Sequence, residues 1–449
     1  MKRPGGIALT VCLVACTSAP SAPWQSGRRL HAIVRGNGDA VIRTGWHDVG
    51  LDIDCRFVAN DDFSDIRCLP LSTAQDGYFV DASCTQPAAT PTSPGVADTA
   101  VVFETSTMCD GPNVPRGRLV MLGTDGTSGY QLTTSGCTMT DRLVFPIVGD
   151  APTDAYVSGV LEHVRVGTRS FQYGIVGTDG TEERSTSFDD TALGTSCVLD
   201  GIIGSEWCVP STLSTALFAY ADAACTTLVA RPNECGSGLA LVGSLACDAQ
   251  FYEPGVPAST LFSSFGGACM PATLPAAGVF AIGTPVTAPP FAHATHAARG
   301  SGPLRVSTLA IEGTPVADFR LTDANGAPCR VALFAEDGLL RCIPDAIVDD
   351  VSVPASMYGD AACTQVVIRS FRACAREPSF IAYAHDIPTA PNYEVTEVHR
   401  LVVTSDGPRW TMLSGSCAPI DTTAFAHVDS IVGDVVDPST FPIVRDFVE

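Results

Sequence analysis

Phe79-Val-Asp-Ala-Ser-Cys-Thr85 returns as Tyr220-Ala-Asp-Ala-Ala-Cys-Thr226 and again as Tyr358-Gly-Asp-Ala-Ala-Cys-Thr364. Each copy follows a Cys-x-Pro: Cys68-Leu-Pro70, Cys208-Val-Pro210 and Cys342-Ile-Pro344. A motif of this length, used three times, predicts one structural unit in three copies. Its cysteines predict disulfides, and so an oxidising compartment.

Working outward gives units at residues 28–150, 151–270 and 304–449, with a Pro- and Ala-rich linker or surface loop at 271–303. Trp46-His-Asp48, Leu51 and Cys55 align with Phe188-Asp-Asp190, Leu193 and Cys197, while the third unit keeps Phe319, Asp323 and Cys329. Phe145-Pro-Ile-Val148 reappears as Phe441-Pro-Ile-Val444, so units one and three share a second half that unit two has largely lost.

The local pattern is strand throughout. Short β-branched or aromatic runs such as Leu30 to Val34, Ala40 to Trp46 and Leu401 to Thr404 are bounded by Gly, Asp and Asn. Asp-Gly pairs at Asp125-Gly126, Asp179-Gly180, Asp337-Gly338 and Asp406-Gly407 are strong hairpin signals. One short helical turn is expected near Ser211 to Tyr220. The fold expected is all-β and disulfide-stapled, with three repeats in a propeller-like ring. Three tandem small β-sandwiches are the alternative, because both arrangements bury alternating faces.

The chain has 18 cysteines. Cys12 and Cys16 fall in an N-terminal targeting segment. No later pair has zinc-knuckle or Cys-x-x-Cys spacing, which points to structural bridges. Cys55–Cys68, Cys197–Cys208 and Cys329–Cys342 each bracket one short hairpin and should pair across it. Units one and three then hold odd numbers of cysteines, so full oxidation requires a bridge between them. Cys137–Cys417 is the candidate, with Cys269 paired locally to Cys247.

Residues 1–16 carry Lys2 and Arg3, a short apolar run and then Leu13-Val-Ala-Cys16. The last four residues resemble the lipobox of bacterial lipoprotein signal peptides, which implies cleavage before Cys16 and its acylation. Residues 17–27 read as a tether. Thr17, in place of Asp, implies sorting to the outer membrane. The expected address is therefore the cell envelope, on the periplasmic or surface face of the outer membrane. A net charge of −22 makes nucleic acid an improbable partner.

Asp81, Asp222 and Asp360, one per motif, are the strongest candidate for a site. Each could hold Ca²⁺ with loop carbonyls, or each could accept backbone hydrogen bonds in a turn; beyond possible Ca²⁺, no cofactor is expected. His47 lies beside Asp48 but lacks a nucleophile. His293 and His296 would face one metal only on a helical turn and lack a third ligand. The standard nucleophile-elbow, zincin, Walker and dinucleotide motifs are absent.

The block Gly45-Trp-His-Asp48, Leu51, Cys55, Arg67-Cys-Leu-Pro70 and Tyr78-Phe-Val-Asp-Ala-Ser-Cys-Thr85 resembles a family of cysteine-rich repeat lipoproteins of myxobacteria and related delta-proteobacteria. Phe63-Ser-Asp65 and Trp207 depart from the family pattern. The resemblance implies an envelope address and a stapled β fold, with no assigned activity. The expected function is a non-enzymatic scaffold binding a protein or glycan. The alternative is an envelope glycan hydrolase using a carboxylate pair.

Overall fold

The computed structural model describes residues 23–60, 62–92, 98–103, 114–133, 136–200, 206–210, 213–232, 238–242, 250–265, 268–275, 278–286, 292–344, 346–350, 357–371, 379–385, 394–403, 408–413, 416–420 and 427–449. Among these the chain forms strands, one 3-10 turn at Pro438–Thr440, and no α-helix. The expected helical turn near Ser211 to Tyr220 is instead the strand Ser214–Tyr220. Nothing described is a helix long and apolar enough to cross a membrane.

The first strands show why the chain adopts this form. In β1 (Leu30–Asn37) the alternate residues Leu30, Ala32 and Val34 are wholly buried while their neighbours are not, the period of a half-covered sheet. β1 pairs antiparallel with β2 (Ala40–Asp48), then β3 (Ile53–Ala59) and β4 (Ile66–Pro70) continue the meander. β4 meets β5 (Ser158–Val166) through Arg67↔Ser158 and Ile66↔Gly159. From β5 the pairing passes to β6 (Ser170–Gly177), β7 (Glu182–Asp190), β8 (Thr195–Asp200) and β9 (Glu206–Pro210).

β9 meets β10 (His293–Arg299) through Glu206↔Ala294 and Trp207↔His293, the counterpart of the β4–β5 contact. β11 (Leu304–Ile311) and β12 (Thr314–Asp323) follow. The bridge Thr322↔Pro328 leads to β13 (Cys329–Phe334) and β14 (Leu340–Pro344). β15 (Ile443–Val448) pairs with β14 on one side and with β1 on the other. Hydrogen bonding thus runs from β1 through β15 and back to β1.

The cores cross the same junctions. Ile175 from β6 packs with Leu30, Trp46 and Phe57. Leu309 and Ile311 from β11 pack with Phe188. Ala40 and Ile42 from β2 pack with Leu304, Leu321 and Val444.

Between β4 and β5 lies a second sheet. Thr73–Phe79 pairs antiparallel with Pro87–Pro91 and parallel with Thr99–Phe103, and Gly117–Leu122 and Gly136–Asp150 complete the pairing back to Pro87–Pro91. Between β9 and β10, Ser214–Tyr220 likewise pairs antiparallel with Leu228–Arg231 and parallel with Ala240–Val242, and closes through Gln250–Pro257 and Phe280–Val286. The second half expected to be largely lost from unit two is therefore a seven-stranded sheet. The expected linker at 271–303 holds Phe280–Val286 and β10 as strands.

Two motif alignments change in three dimensions. Asp48 and Asp323 stand opposite the first residues of β1 and β11, and Asp190 opposite Ser170 of β6. Two residues before them lie Trp46, Phe188 and Leu321, at most 2% exposed, so in the third unit Leu321 stands where the other two have an aromatic. Phe145-Pro-Ile-Val148 sits in the small sheet, whereas Val444 belongs to β15, so the shared tetrapeptide occupies different places.

Candidate functional site

The recurring Asp-Ala-x-Cys-Thr loops are built alike. Cys84, Cys225 and Cys363 stand at φ 52°, 53° and 52°, the left-handed region that non-glycine residues seldom adopt. Their backbone N–H groups donate to the carbonyls of Asp81, Asp222 and Asp360 at 3.0, 3.1 and 3.1 Å. Each Asp side chain then accepts from the residues beyond the cysteine. Asp81 accepts from the Thr85 and Gln86 N–H groups at 3.0 and 2.7 Å. Asp222 accepts from the Thr226 and Thr227 N–H groups at 3.2 and 2.7 Å. Asp360 accepts from the Thr364 and Gln365 N–H groups at 2.8 and 3.2 Å.

These donors stabilise the ionised carboxylate. The Ser83 hydroxyl, with the Gln86 N–H and Thr85 behind it, holds Asp81 far below the usual carboxylate range. The Thr227 N–H leads the set that brings Asp222 down to about 2. The Thr364 hydroxyl leads at Asp360, whose pKa is likewise lowered. The three carboxylates thus point their oxygens at N–H and O–H donors, the arrangement of a turn cap. Each keeps to its own loop, and among the described residues no three His, Cys, Asp or Glu side chains gather as a metal site.

The cysteines join these loops to the small sheets. Cys84–Cys137, Cys225–Cys269 and Cys363–Cys417 are bridged, each with Cα atoms 5.8 Å apart. This corrects two expectations: Cys137 and Cys417 do not bridge units one and three, and Cys269 pairs with Cys225 rather than Cys247. In each case the partner strand returns beside the loop, with the second sulfur 3.7 Å from the carbonyl oxygen of the capping Asp. The hairpin bridges Cys55–Cys68, Cys197–Cys208 and Cys329–Cys342 are present. The parity argument now falls on Cys109 and Cys374, which, like the lipidation candidate Cys16, lie outside the described residues.

The expected histidines all lie on strands. His47 Nδ1 is 2.9 Å from Asp54 Oδ1 on the surface of β2 and β3. His293 and His296 lie on the strand β10, not a helical turn, and His296 Nδ1 is 2.6 Å from Ser307 Oγ.

A group not anticipated from sequence surrounds Asp189. The Tyr173 hydroxyl donates to Asp189 Oδ2 at 2.6 Å and the Ser196 hydroxyl to Oδ1 at 2.8 Å. His163 stacks edge-on to Tyr173 at 4.3 Å between centroids, with Nδ1 4.0 Å from Asp189. The Ser196 hydroxyl thus donates to a carboxylate, as does that of Tyr173.

On the other side of Tyr173 a cavity of about 260 Å³ opens between β2, β3, β5, β6 and β7. Trp24, Phe57, Leu161, Tyr173 and Ile175 supply apolar wall, and Arg43, Glu183 and Arg184 supply charge. Glu183 is already engaged: Trp46 Nε1 donates to Oε2 at 2.8 Å and Arg43 reaches Oε1 at 2.6 Å. These residues come from segments far apart in the chain and share no motif, so only their three-dimensional meeting reveals them.

Residues 131–441 match a family of unknown function, DUF7481. The chain belongs to that family. No curated protein and no solved structure matches it. The DUF7481 match takes in β5 to β14 and the cavity residues Leu161, Tyr173, Glu183 and Arg184, while Trp24, Arg43 and Phe57 precede it.

Proposed function

We propose that the protein is a non-enzymatic scaffold of the bacterial cell envelope, anchored through acylated Cys16 and presenting a disulfide-rigid β framework to a protein or glycan. In this reading the chain is three copies of one unit set in a propeller-like ring. The six described disulfides, found at matching motif positions, and the β15–β1 pairing support that reading. So does the resemblance of its motifs to the cysteine-rich repeat lipoproteins.

The observation that carries the choice over a glycan hydrolase is the state of the acids. A glycosidase needs one carboxyl held protonated near neutral pH, opposite a second one. Asp81, Asp222 and Asp360 each hold their oxygens on N–H and O–H donors of their own loop, which favours the ionised form, and they do not face one another as a pair. Asp189 and Asp190, adjacent on a shallow surface pocket, are both tied up, Asp190 by Arg169 and by the Ala192 N–H.

Cys16→Ser should release the protein from membranes and abolish acyl labelling; unchanged fractionation and labelling would remove the anchor from the proposal. A glycan array probed with oxidised protein should show binding without turnover. Release of reducing ends that disappears in Asp189→Asn would favour the hydrolase instead.

A further inference from the structure

We infer that the first of the small sheets carries a docking edge for a partner's extended peptide, apolar at alternate positions and basic in net charge. This names a partner and a place for the scaffold reading, on which it rests for the partner's being a protein. The observation is a difference between equivalent hairpins. Thr127–Thr133 pairs with the start of Gly136–Asp150, Leu261–Phe265 with Ala268–Ala272, and Arg409–Leu413 with Ser416–Ile420. Two residues past the bridged Cys137, Cys269 and Cys417 stand Met139, Pro271 and Pro419. Each lies opposite an aromatic, Tyr130, Phe262 or Trp410, and each is exposed.

A proline has no N–H to give its partner strand, so this position turns its backbone away from the hairpin, toward the open edge. Proline there also denies a donor to any incoming strand. In the first hairpin Met139 restores that donor. Among the described residues nothing pairs with the outer side of residues 136–140. Leu132 lies opposite Cys137, and Cys137 is two residues from Met139, so Leu132 and Met139 share one face, where they are 65% and 67% exposed. An added strand would bond the Met139 N–H and C=O and set an apolar side chain beside Met139.

Charge selects the occupant. Asp141 and Arg142 follow the open segment and offset each other, which leaves the sign to the whole molecule. Its 48 acidic side chains against 26 Lys and Arg favour a basic segment and oppose pairing with a second copy of the chain.

The test is fluorescence anisotropy of a labelled peptide, Lys-Thr-Val-Thr-Val-Thr-Lys, titrated with the oxidised full-length protein. It should bind about tenfold or more tightly than its backbone N-methylated counterpart and than the same peptide ended with Glu. Met139→Pro should weaken it by a similar factor with an unchanged melting temperature, since proline already stands at this position in the other two hairpins. Met139→Leu, which keeps the N–H and the apolar surface, should bind as the unmodified protein does. The N-methylated peptide tests the same hydrogen bonds without altering the protein. No binding at millimolar peptide would overturn the inference. So would equal binding of the N-methylated peptide, or binding undiminished in folded Met139→Pro. A dimer in light scattering that Met139→Pro dissolves would give the edge to a second copy instead. None of these results alters membrane release in Cys16→Ser or the glycan array, so failure of the edge and failure of the scaffold reading are told apart.

Discussion

Arg29 donates from Nε to Asp48 Oδ1 at 2.6 Å, and the Asp48 side chain is wholly buried while a third of Arg29 remains exposed. The same carboxylate oxygen accepts the Gly50 N–H at 2.9 Å, so one acid fixes both the start of β1 and the turn after β2. Arg169 and Asp190 repeat this at β6 and β7, where Asp190 accepts the Ala192 N–H at 3.0 Å. At β11 the residue before Leu304 is Pro303, and Asp323 accepts from its own turn, through Asn325 and Ala327. Arg29→Ala leaves Asp48 buried without its counter-charge and should cost about 3 kcal/mol in urea unfolding. Asp48→Asn should cost less, because Arg29 can turn to water. An Arg29→Ala cost no larger than that of an exposed ion pair would refute this account.

The capped loops predict a specific acid sensitivity. Asp81, Asp222 and Asp360 have pKa values lowered in the folded state, so each contributes stability that is present above the ordinary carboxylate pKa of 3.8. That contribution is lost as pH falls from there toward about 2, the folded value of Asp222. The melting temperature should be level between about pH 5 and 7 and drop below pH 4. Asn at all three positions should lower the plateau and flatten the acid limb. A variant whose acid limb matches the unmodified protein would assign the sensitivity to other groups.

Non-reducing peptide mapping should recover Cys84–Cys137, Cys225–Cys269 and Cys363–Cys417 beside the three hairpin bridges. In the chain-entropy treatment, removing Cys84–Cys137, which spans 53 residues, should cost about 4 kcal/mol, against about 3 for Cys55–Cys68, which spans 13. The strained φ of Cys84 adds a second effect. A Cys84→Gly, Cys137→Ala pair should be more stable than Cys84→Ala, Cys137→Ala by about 1 kcal/mol, since glycine adopts the left-handed region freely. Equal stabilities would mean that the loop relaxes once the bridge is gone.

Deleting residues 443–449 should expose one edge on β1 and one on β14, both now covered by β15. Open strand edges recruit other chains. The truncated protein should therefore elute as oligomers in size-exclusion chromatography with light scattering, and amides of Ile33 to Gly36 should lose exchange protection. A monomer with protected β1 amides would show that closure is dispensable.

Much of this architecture was readable from short-range chemistry. The strand class followed from alternation such as Leu30, Ala32 and Val34. The three hairpin bridges followed from cysteines flanking single turns, where register alone brings the sulfurs together. What escaped depended on the return of distant strands. Cys137 pairs with Cys84 because Gly136–Asp150 pairs with Thr127–Thr133, which in turn pairs with Thr73–Phe79, a path that spacing does not encode. The second half of unit two is not legible in its motifs because Gln250–Pro257 and Phe280–Val286 keep the pairing while sharing few residues with their counterparts; backbone hydrogen bonds do not depend on side-chain identity. The cavity was invisible for the same reason: Trp24 and Arg184 lie in segments far apart in sequence and meet only once β7 is in place.

The position of β15 also sets a clock. Its two neighbours, β1 and β14, are both made before it, and β1 waits for more than 400 residues of later chain. A contact of such sequence separation closes slowly and late. Throughout synthesis the growing molecule would carry an unsatisfied seam, the kind of unpaired edge that chaperones and proteases recognise. Completion of the C-terminal strand, rather than any local propensity, would then set when the sheet closes.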